Sequence, residues 1–297
     1  MPLLDNAQIE DLRQRALGVM GYPATYKPVL HRQHGEHLSP RRGYGLDYDE
    51  SRVYQQGDEM RFMNWRLTAR TGEMHVKIFQ EERRPSAFIL LDWRASMRFG
   101  TQVRLKAAQA LRAAVLLIFY NHYCGRSLAG LVFDEDVRWL ATSHDEQSVL
   151  AMVSNINQAC PPLPTECQQM DLASVLRAIQ NLLTPGSQVY LISDFEDATN
   201  ECRSVLAQLA AEYDVSAVHI IDPAELQLPK AGKLCLSAMS DDRVREIDTS
   251  NTHIAERYQH AAQRYFMERE TLLRGLGMAY VRLPTNIANI EAELTFK

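Results

Sequence analysis

Two aspartates stand where short, strongly apolar runs end. Asp92 follows Ala87-Phe88-Ile89-Leu90-Leu91, and Asp194 follows Val189-Tyr190-Leu191-Ile192-Ser193. Runs of this kind read as strands covered on both faces, which places both carboxylates at strand ends. In an open α/β sheet, ligands collect outside those ends, near the point where strand order reverses. A hard cation such as Mg²⁺ takes oxygens from carboxylates, hydroxyls and water, so Asp92, Ser96 and Asp194 could converge on one. Arg94 argues against it. A guanidinium is always charged and offers five donors, so it would repel a divalent ion and pair with the carboxylates itself. The expected site is metal-free and without cofactor, with Arg94 as an internal cation. Should Mg²⁺ bind after all, Asp92, Ser96 and Asp194 are its expected ligands. Each of these residues alone is as well explained by a turn or a cap, but all three fall at the right elements together.

Other chemistry is thin. His31, His34 and His37 have a spacing that could attract zinc, yet Pro28, Gly35 and Pro40 surround them and leave no helix to hold them on one face. They read as a solvated polar loop. Asp134-Glu135-Asp136 reads as a solvated acidic turn. No G-x-S-x-G elbow, H-E-x-x-H pair or P-loop is present, so esterase, metalloprotease and nucleotide-hydrolysing readings lack their parts. A hydrolase using Asp92 and Asp194 as paired carboxylates is the enzymatic alternative. Arg94 is expected to keep both ionised and so unsuited to general-acid work. The expectation is a protein that is not an enzyme.

The elements that must position these residues follow from periodicity. Leu3 to Met20 has apolar residues at helical spacing behind Asp5 and Asn6. From Gly21 to Pro85, prolines and glycines including Pro23, Pro28, Pro40, Gly43, Gly45, Gly57 and Gly72 punctuate short alternating runs, the pattern of a β-rich appendage of hairpins and loops. Strand Ser86–Asp92 is followed by a helix over Thr101 to His122, its stripe Leu105, Ala108, Leu111, Val115 and Ile118 inward and Arg104, Lys106, Gln109 and Arg112 outward. Strands at 128–133 and 137–140, a helix at 145–158, a helix at 171–183, strand Gln188–Ser193, a helix at 200–213 and a strand at 215–221 come next. Alternation of this kind predicts a doubly wound, mostly parallel sheet with helices on both faces. Residues 223–229 read as a linker, 233–248 as a hairpin extending or capping an edge, and 254–294 as helix, strand and closing helix.

The chain has 297 residues, 46% of them hydrophobic, enough for a large core. The expected organisation is a leading helix over 1–20, the appendage over 21–85 and one α/β domain over 86–297. Its net charge of −5, without a basic block, argues against nucleic acid or an anionic membrane as partner. Cys124, Cys160, Cys167, Cys202 and Cys235 include no C-x-x-C pair, which fits a reducing cytoplasm. No signal-peptide core is visible near Met1, and the longest apolar stretch, Ala113 to Tyr120, falls far short of the ~20 residues that span a bilayer.

Two resemblances carry further expectations. Asp92 and Ser96 match the first and last positions of D-x-S-x-S, the opening of the metal-ion-dependent adhesion site of von Willebrand factor A domains, and Asp194 matches its distant Asp. Arg94 stands in place of the first Ser. Alignment of Asp171 to Leu176 with the usual T-D-L-x-x-A-L puts Met170, a soft thioether that Mg²⁺ ignores, where the metal-linked Thr belongs. The implied rim is therefore Asp92, Arg94, Ser96, Met170 and Asp194, a degenerate version of that site. Separately, residues 52–70 resemble R-x-Y-x-x-G-D-x-x-R-x-I-[DN]-W-x-x-x-A-R of the bacterial domain of unknown function 58, through Arg52, Tyr54, Gly57, Asp58, Arg61, Asn64, Trp65, Ala69 and Arg70. Lys77 and Glu81 continue the match, and Gln56 replaces the usual Pro.

Read from its residues, this stretch is either a salt-bridged, aromatic-pinned subdomain or a docking surface, since Trp, Tyr and Arg serve both ends. The family resemblance implies a von Willebrand A-like, Rossmann-type fold. It also implies partnership with a MoxR-type AAA+ ATPase, which does mechanical work while the A-like protein selects or matures a client.

Overall fold

Asp5 and Gln8 exchange hydrogen bonds: the Asp5 carboxylate accepts the Gln8 N–H at 2.7 Å, and the Gln8 amide oxygen accepts the Asp5 N–H at 3.0 Å. This reciprocal cap starts α1 (Asn6–Gly21). The computed structural model describes residues 2–21, 47–55, 60–80, 86–160, 170–198, 200–238 and 241–294. The cluster His31, His34 and His37 lies outside the described residues, as do Gly57, Asp58, Glu81 and Cys167. The chain divides into two compact units, Met1–Arg32 with Pro85–Lys297, and Gln33–Arg84.

In the smaller unit β1 (Asp47–Val53) pairs antiparallel with a later strand. Between the two run a 3₁₀ turn at Met60–Phe62 and α2 (Trp65–Thr71), and β2 (His75–Gln80) completes the pair. The helix departs from the expectation of hairpins and loops. It has no buried residue, so no apolar stripe announces it. Local hydrogen bonds hold it instead. The Asn64 side chain accepts the Leu67 N–H, and Gly72, with φ of 80°, closes the far end by donating to the Thr68 carbonyl. A seven-residue helix is marginal in water, and caps worth about 1 kcal/mol each decide whether it forms.

The larger unit contains β3 (Ser86–Asp92), α3 (Lys106–Tyr123), β4 (Ser127–Phe133), β5 (Val137–Ser143), α4 (Glu146–Ile156), α5 (Leu172–Gln180), β6 (Gln188–Ser193), α6 (Asn200–Glu212) and β7 (Asp214–Ile221). It continues through α7 (Pro223–Leu226), β8 (Lys233–Ala238), β9 (Asp241–Asp248), α8 (Thr252–Gly275), β10 (Ala279–Pro284) and α9 (Ile290–Glu293). Six strands form one sheet in the order β10-β7-β6-β3-β4-β5, parallel except for the β4–β5 pair. The architecture is thus mixed α/β with a mostly parallel central sheet. From β3 the chain builds outward to β4 and β5, then returns past its start to lay down β6, β7 and β10. Strand order therefore reverses between β3 and β6.

Alternate residues of β3 serve the two faces. Ala87, Ile89 and Leu91 join a core with α1, α3 and α4, while Phe88 and Leu90 join a second core with α5 and α6. Among the described residues no helix is long and apolar enough to cross a membrane. Where β4 passes β3, a Cβ on Gly130 would lie 2.4 Å from the Ile89 carbonyl oxygen. Both groups are backbone inside the sheet, so Gly130→Ala should lower stability by about 1–3 kcal/mol. A urea midpoint equal to wild type would show that the sheet yields there at no cost.

Four expectations need correction. The helix predicted from Thr101 begins at Lys106, because Asp222 accepts both the Thr101 N–H and its hydroxyl and keeps the intervening residues as a loop. Lys106, Gln109 and Arg112 do not face away: α3 is buried all round, since α1 covers the side opposite the sheet. Gln109 and Arg112, with Arg104, donate instead to the carbonyls of Pro284, Thr285, Ile287 and Ala288. Residues 223–229 hold α7, whose capping box joins Asp222 and Glu225, and β8–β9 forms its own two-stranded sheet rather than extending the central one.

Candidate functional site

Asp92 ends β3 and Asp194 follows β6, two neighbouring parallel strands at the reversal of strand order. Both are buried, at 0% and 5% exposure. Asp92 takes donors of three kinds. The Arg94 N–H reaches it at 3.0 Å, the Ser193 hydroxyl at 2.6 Å, and the Arg94 guanidinium through Nε at 3.1 Å and Nη2 at 2.7 Å. The other edge of the guanidinium grips Asp197, with Nη1 at 2.5 Å and Nη2 at 3.0 Å. Arg94 is therefore a fork with a carboxylate on each side, lying 5.1 Å from the Phe133 ring centre. Burial works to lower its pKa, and the two carboxylates outweigh burial and raise it.

A second cation serves Asp194. Lys106 Nζ donates to Asp194 Oδ2 at 2.9 Å and to Glu225 Oε1 at 2.7 Å, and the Ser96 side chain hydrogen-bonds to Asp194 as well. Burial works to raise the Asp194 carboxyl, but the ammonium prevails and holds it below the usual carboxylate range. Asp92 goes the other way, pushed up by burial against the pull of Arg94. The expectation that Arg94 alone serves both carboxylates is corrected: Arg94 bonds to Asp92 and Asp197, and Lys106 bonds to Asp194. The connecting loop is strained, since Phe195 is buried with φ of 50°. Such a conformation costs about 1–3 kcal/mol and needs support. The Phe195 N–H donates to Ser193 Oγ, while Arg269 of α8 donates to the Phe195 and Glu196 carbonyls.

Of the rim residues read from the sequence, Asp92, Arg94, Ser96 and Asp194 come together. Met170 does not join them; it packs against the core beside α5 and α6. The start of α5 contributes through backbone instead, with the Leu172 N–H donating to Asp197 at 2.9 Å. Lys106 and Asp197 were missed. The sequence offered one signal for Asp197, its place in the run that ends β6, and none for Lys106, whose helical spacing pointed outward. Asp134 and Glu135 are not a solvated tip. They pair with Arg138 and Arg98, and Arg138 lies 5.4 Å from the Trp93 ring centre, so the turn folds back onto the protein.

The residues of the 52–70 stretch fall in the smaller unit. Arg52 Nη1 donates to the Val53 carbonyl, Tyr54 follows β1, and Asn64 both caps α2 and donates to Ser51 Oγ at 2.8 Å. Arg61 lies in the 3₁₀ turn and Lys77 in β2. Trp65, Ala69 and Arg70 are exposed on α2.

An uncharacterized protein of Mycobacterium tuberculosis is 28% identical over 253 residues, covering 85% of this chain and 79% of its own. Among solved structures, the chain is similar to the conserved hypothetical protein BatB from Bacteroides thetaiotaomicron, with 14% identity, a TM-score of 0.43 and coverage of 70% of this chain and 93% of that one. It is also similar to a von Willebrand factor type A from Catenulispora acidiphila, with 14% identity, a TM-score of 0.30 and coverage of 48% and 35%. A family model matches residues 50–267, a span that holds the arginine- and aromatic-rich stretch, the strand-end carboxylates and both internal cations. The chain belongs to the family described as Protein of unknown function DUF58.

Proposed function

We propose that this chain is a non-enzymatic protein-interaction module on a von Willebrand factor A-like scaffold. It works in the cytoplasm as adaptor or chaperone component of a MoxR-type AAA+ ATPase, presenting a client protein to it. Neither nucleic acid nor a membrane surface is part of this reading. The observation that supports it best is the filling of the strand-end site by the chain's own cations, Arg94 between Asp92 and Asp197 and Lys106 between Asp194 and Glu225. A divalent ion does not fit that donor set. Asp92 and Asp194 already hold a guanidinium and an ammonium, and a further cation between them would be repelled. What remains is a charge-compensated rim, preset for a partner without a metal to complete it.

The test is direct binding of the purified chain to a purified MoxR-type AAA+ ATPase from the same organism, by titration calorimetry with nucleotide present. Binding should persist in EDTA and weaken about tenfold, or about 1.4 kcal/mol, in Asp197→Asn, whose carboxylate lies at the rim. Absence of binding would sink the adaptor reading. Binding that EDTA abolishes and Mg²⁺ restores would favour a metal-dependent adhesion module through Asp92, Ser96 and Asp194.

A further inference from the structure

We infer that α2 and its flanks form a second docking surface, one that takes a protein segment in which carboxylates flank apolar side chains. This extends the adaptor reading, which needs one surface for the ATPase and another for the client, but it rests on different residues. Trp65 is 64% exposed, and the same small unit also exposes Val53, Met60 and Met74. Single exposed apolar side chains are ordinary, whereas several on so short a segment mark an interaction site. Hydrogen bonds stitch their carriers together. The Tyr54 N–H donates to the Met74 carbonyl at 2.8 Å, the Asn64 N–H donates to the His75 carbonyl at 2.7 Å, and Asn64 Nδ2 reaches Ser51.

Because caps rather than burial hold α2, its outward side chains have no packing duty. Arg66 and Arg70 are one turn apart on it, Trp65 and Ala69 likewise. Neither arginine has an acidic partner among the described residues, and the helix itself contains no acid. A pair of guanidinium forks beside an exposed indole is the residue set that dominates protein interfaces. Its charge complement is carboxylate. A polyanion such as nucleic acid or an anionic bilayer fits worse, because β1 carries Asp47, Asp49 and Glu50, and Glu73 follows the helix. A discrete segment can place its acids on the arginines and avoid those neighbours.

The probe is a fluorescein-labelled peptide with Leu-Phe between two glutamates on each side, read by anisotropy against the full chain at low salt. A counterpart carries glutamine at every glutamate. The glutamate peptide should bind about tenfold more tightly than the glutamine one. That preference should vanish in Arg66→Gln/Arg70→Gln, and all binding should weaken in Trp65→Ala, since these exposed side chains can change without unfolding the unit. Equal binding of the two peptides, no binding of the glutamate peptide at millimolar chain, or variants that bind as wild type would each overturn the inference. Co-sedimentation with phosphatidylglycerol vesicles that depends on the same residues while the peptide does not bind would overturn it too, in favour of a membrane. If the peptide binds and the ATPase does not, the adaptor reading fails alone; the reverse result removes only this surface.

Discussion

Arg94→Met should destabilise the folded chain by about 3–5 kcal/mol, the cost of leaving a buried charge without its partner. The effect arises chiefly at Asp92, which is fully buried and would lose both guanidinium bonds, keeping only Ser193 and one backbone N–H. Asp197 is about a third exposed and can rehydrate, so its loss adds little. Removing the second charge as well should recover much of the stability, since Asn at position 92 needs no counter-ion. Urea unfolding at neutral pH of Arg94→Met and Arg94→Met/Asp92→Asn provides the measurement. A single variant within 1 kcal/mol of wild type, or a double variant no better than the single, would show that the guanidinium is not what neutralises the site. Lys106→Met should behave alike through Asp194, its other partner Glu225 being partly in solvent.

The second large effect is a fall in stability as pH drops from 6.5 towards 4, produced by His219. The ring is buried among Phe195, Phe266 and Tyr280, with Nδ1 2.8 Å from the Tyr280 hydroxyl and Nε2 without a hydrogen-bond partner among the described residues. Burial pushes its pKa down to about 3; Asp194 pulls the other way, and Lys106, Arg282 and Arg269 add to the fall. A base whose folded pKa lies below its unfolded value binds fewer protons when folded, so stability rises with pH through that window. Above pH 6.5 the group is neutral in both states and contributes no slope. Below it the unfolded chain gains a proton that the folded one refuses, at about 1.4 kcal/mol per pH unit, or about 3 kcal/mol by pH 4. His219→Gln, which can still meet the Tyr280 hydroxyl, should flatten the profile between pH 6.5 and 4.5. A slope unchanged by the substitution would place its origin elsewhere. Carboxylates held low, such as Asp194 and Asp222, lose their contribution only as pH falls further.

Much of the larger unit was legible because burial on a sheet leaves a simple record. Strand Ser86–Asp92 and strand Gln188–Ser193 form over the residues expected, since each is a continuous apolar run closed by a carboxylate. Helix α4 starts at its Asp145 cap, where side chain and backbone agree. Elements held by hydrogen bonds rather than apolar stripes were not legible: α2 buries nothing, and α7 is a single capped turn. The outward reading of Lys106, Gln109 and Arg112 failed for a related reason. An apolar stripe identifies the face a helix turns to the sheet but is silent on whether a second helix, here α1, covers the other.

The sequence by itself determined the order of the central strands and of the helices packed on them, the placement of Asp92 and Asp194 at strand ends, and the presence of a cation beside the first of them. Those features depend on near neighbours along the chain, where periodicity and side-chain chemistry act. Only the tertiary structure decided which charge meets which. Arg94 and Asp197 are 103 residues apart, Lys106 and Asp194 are 88 apart, and Lys106 and Glu225 are 119 apart. Such pairs are set by the reversal of strand order between β3 and β6, which brings strand ends and the start of α3 to one place. Once there, burial makes unpaired charge too costly to persist, so each carboxylate takes the cation that the fold delivers.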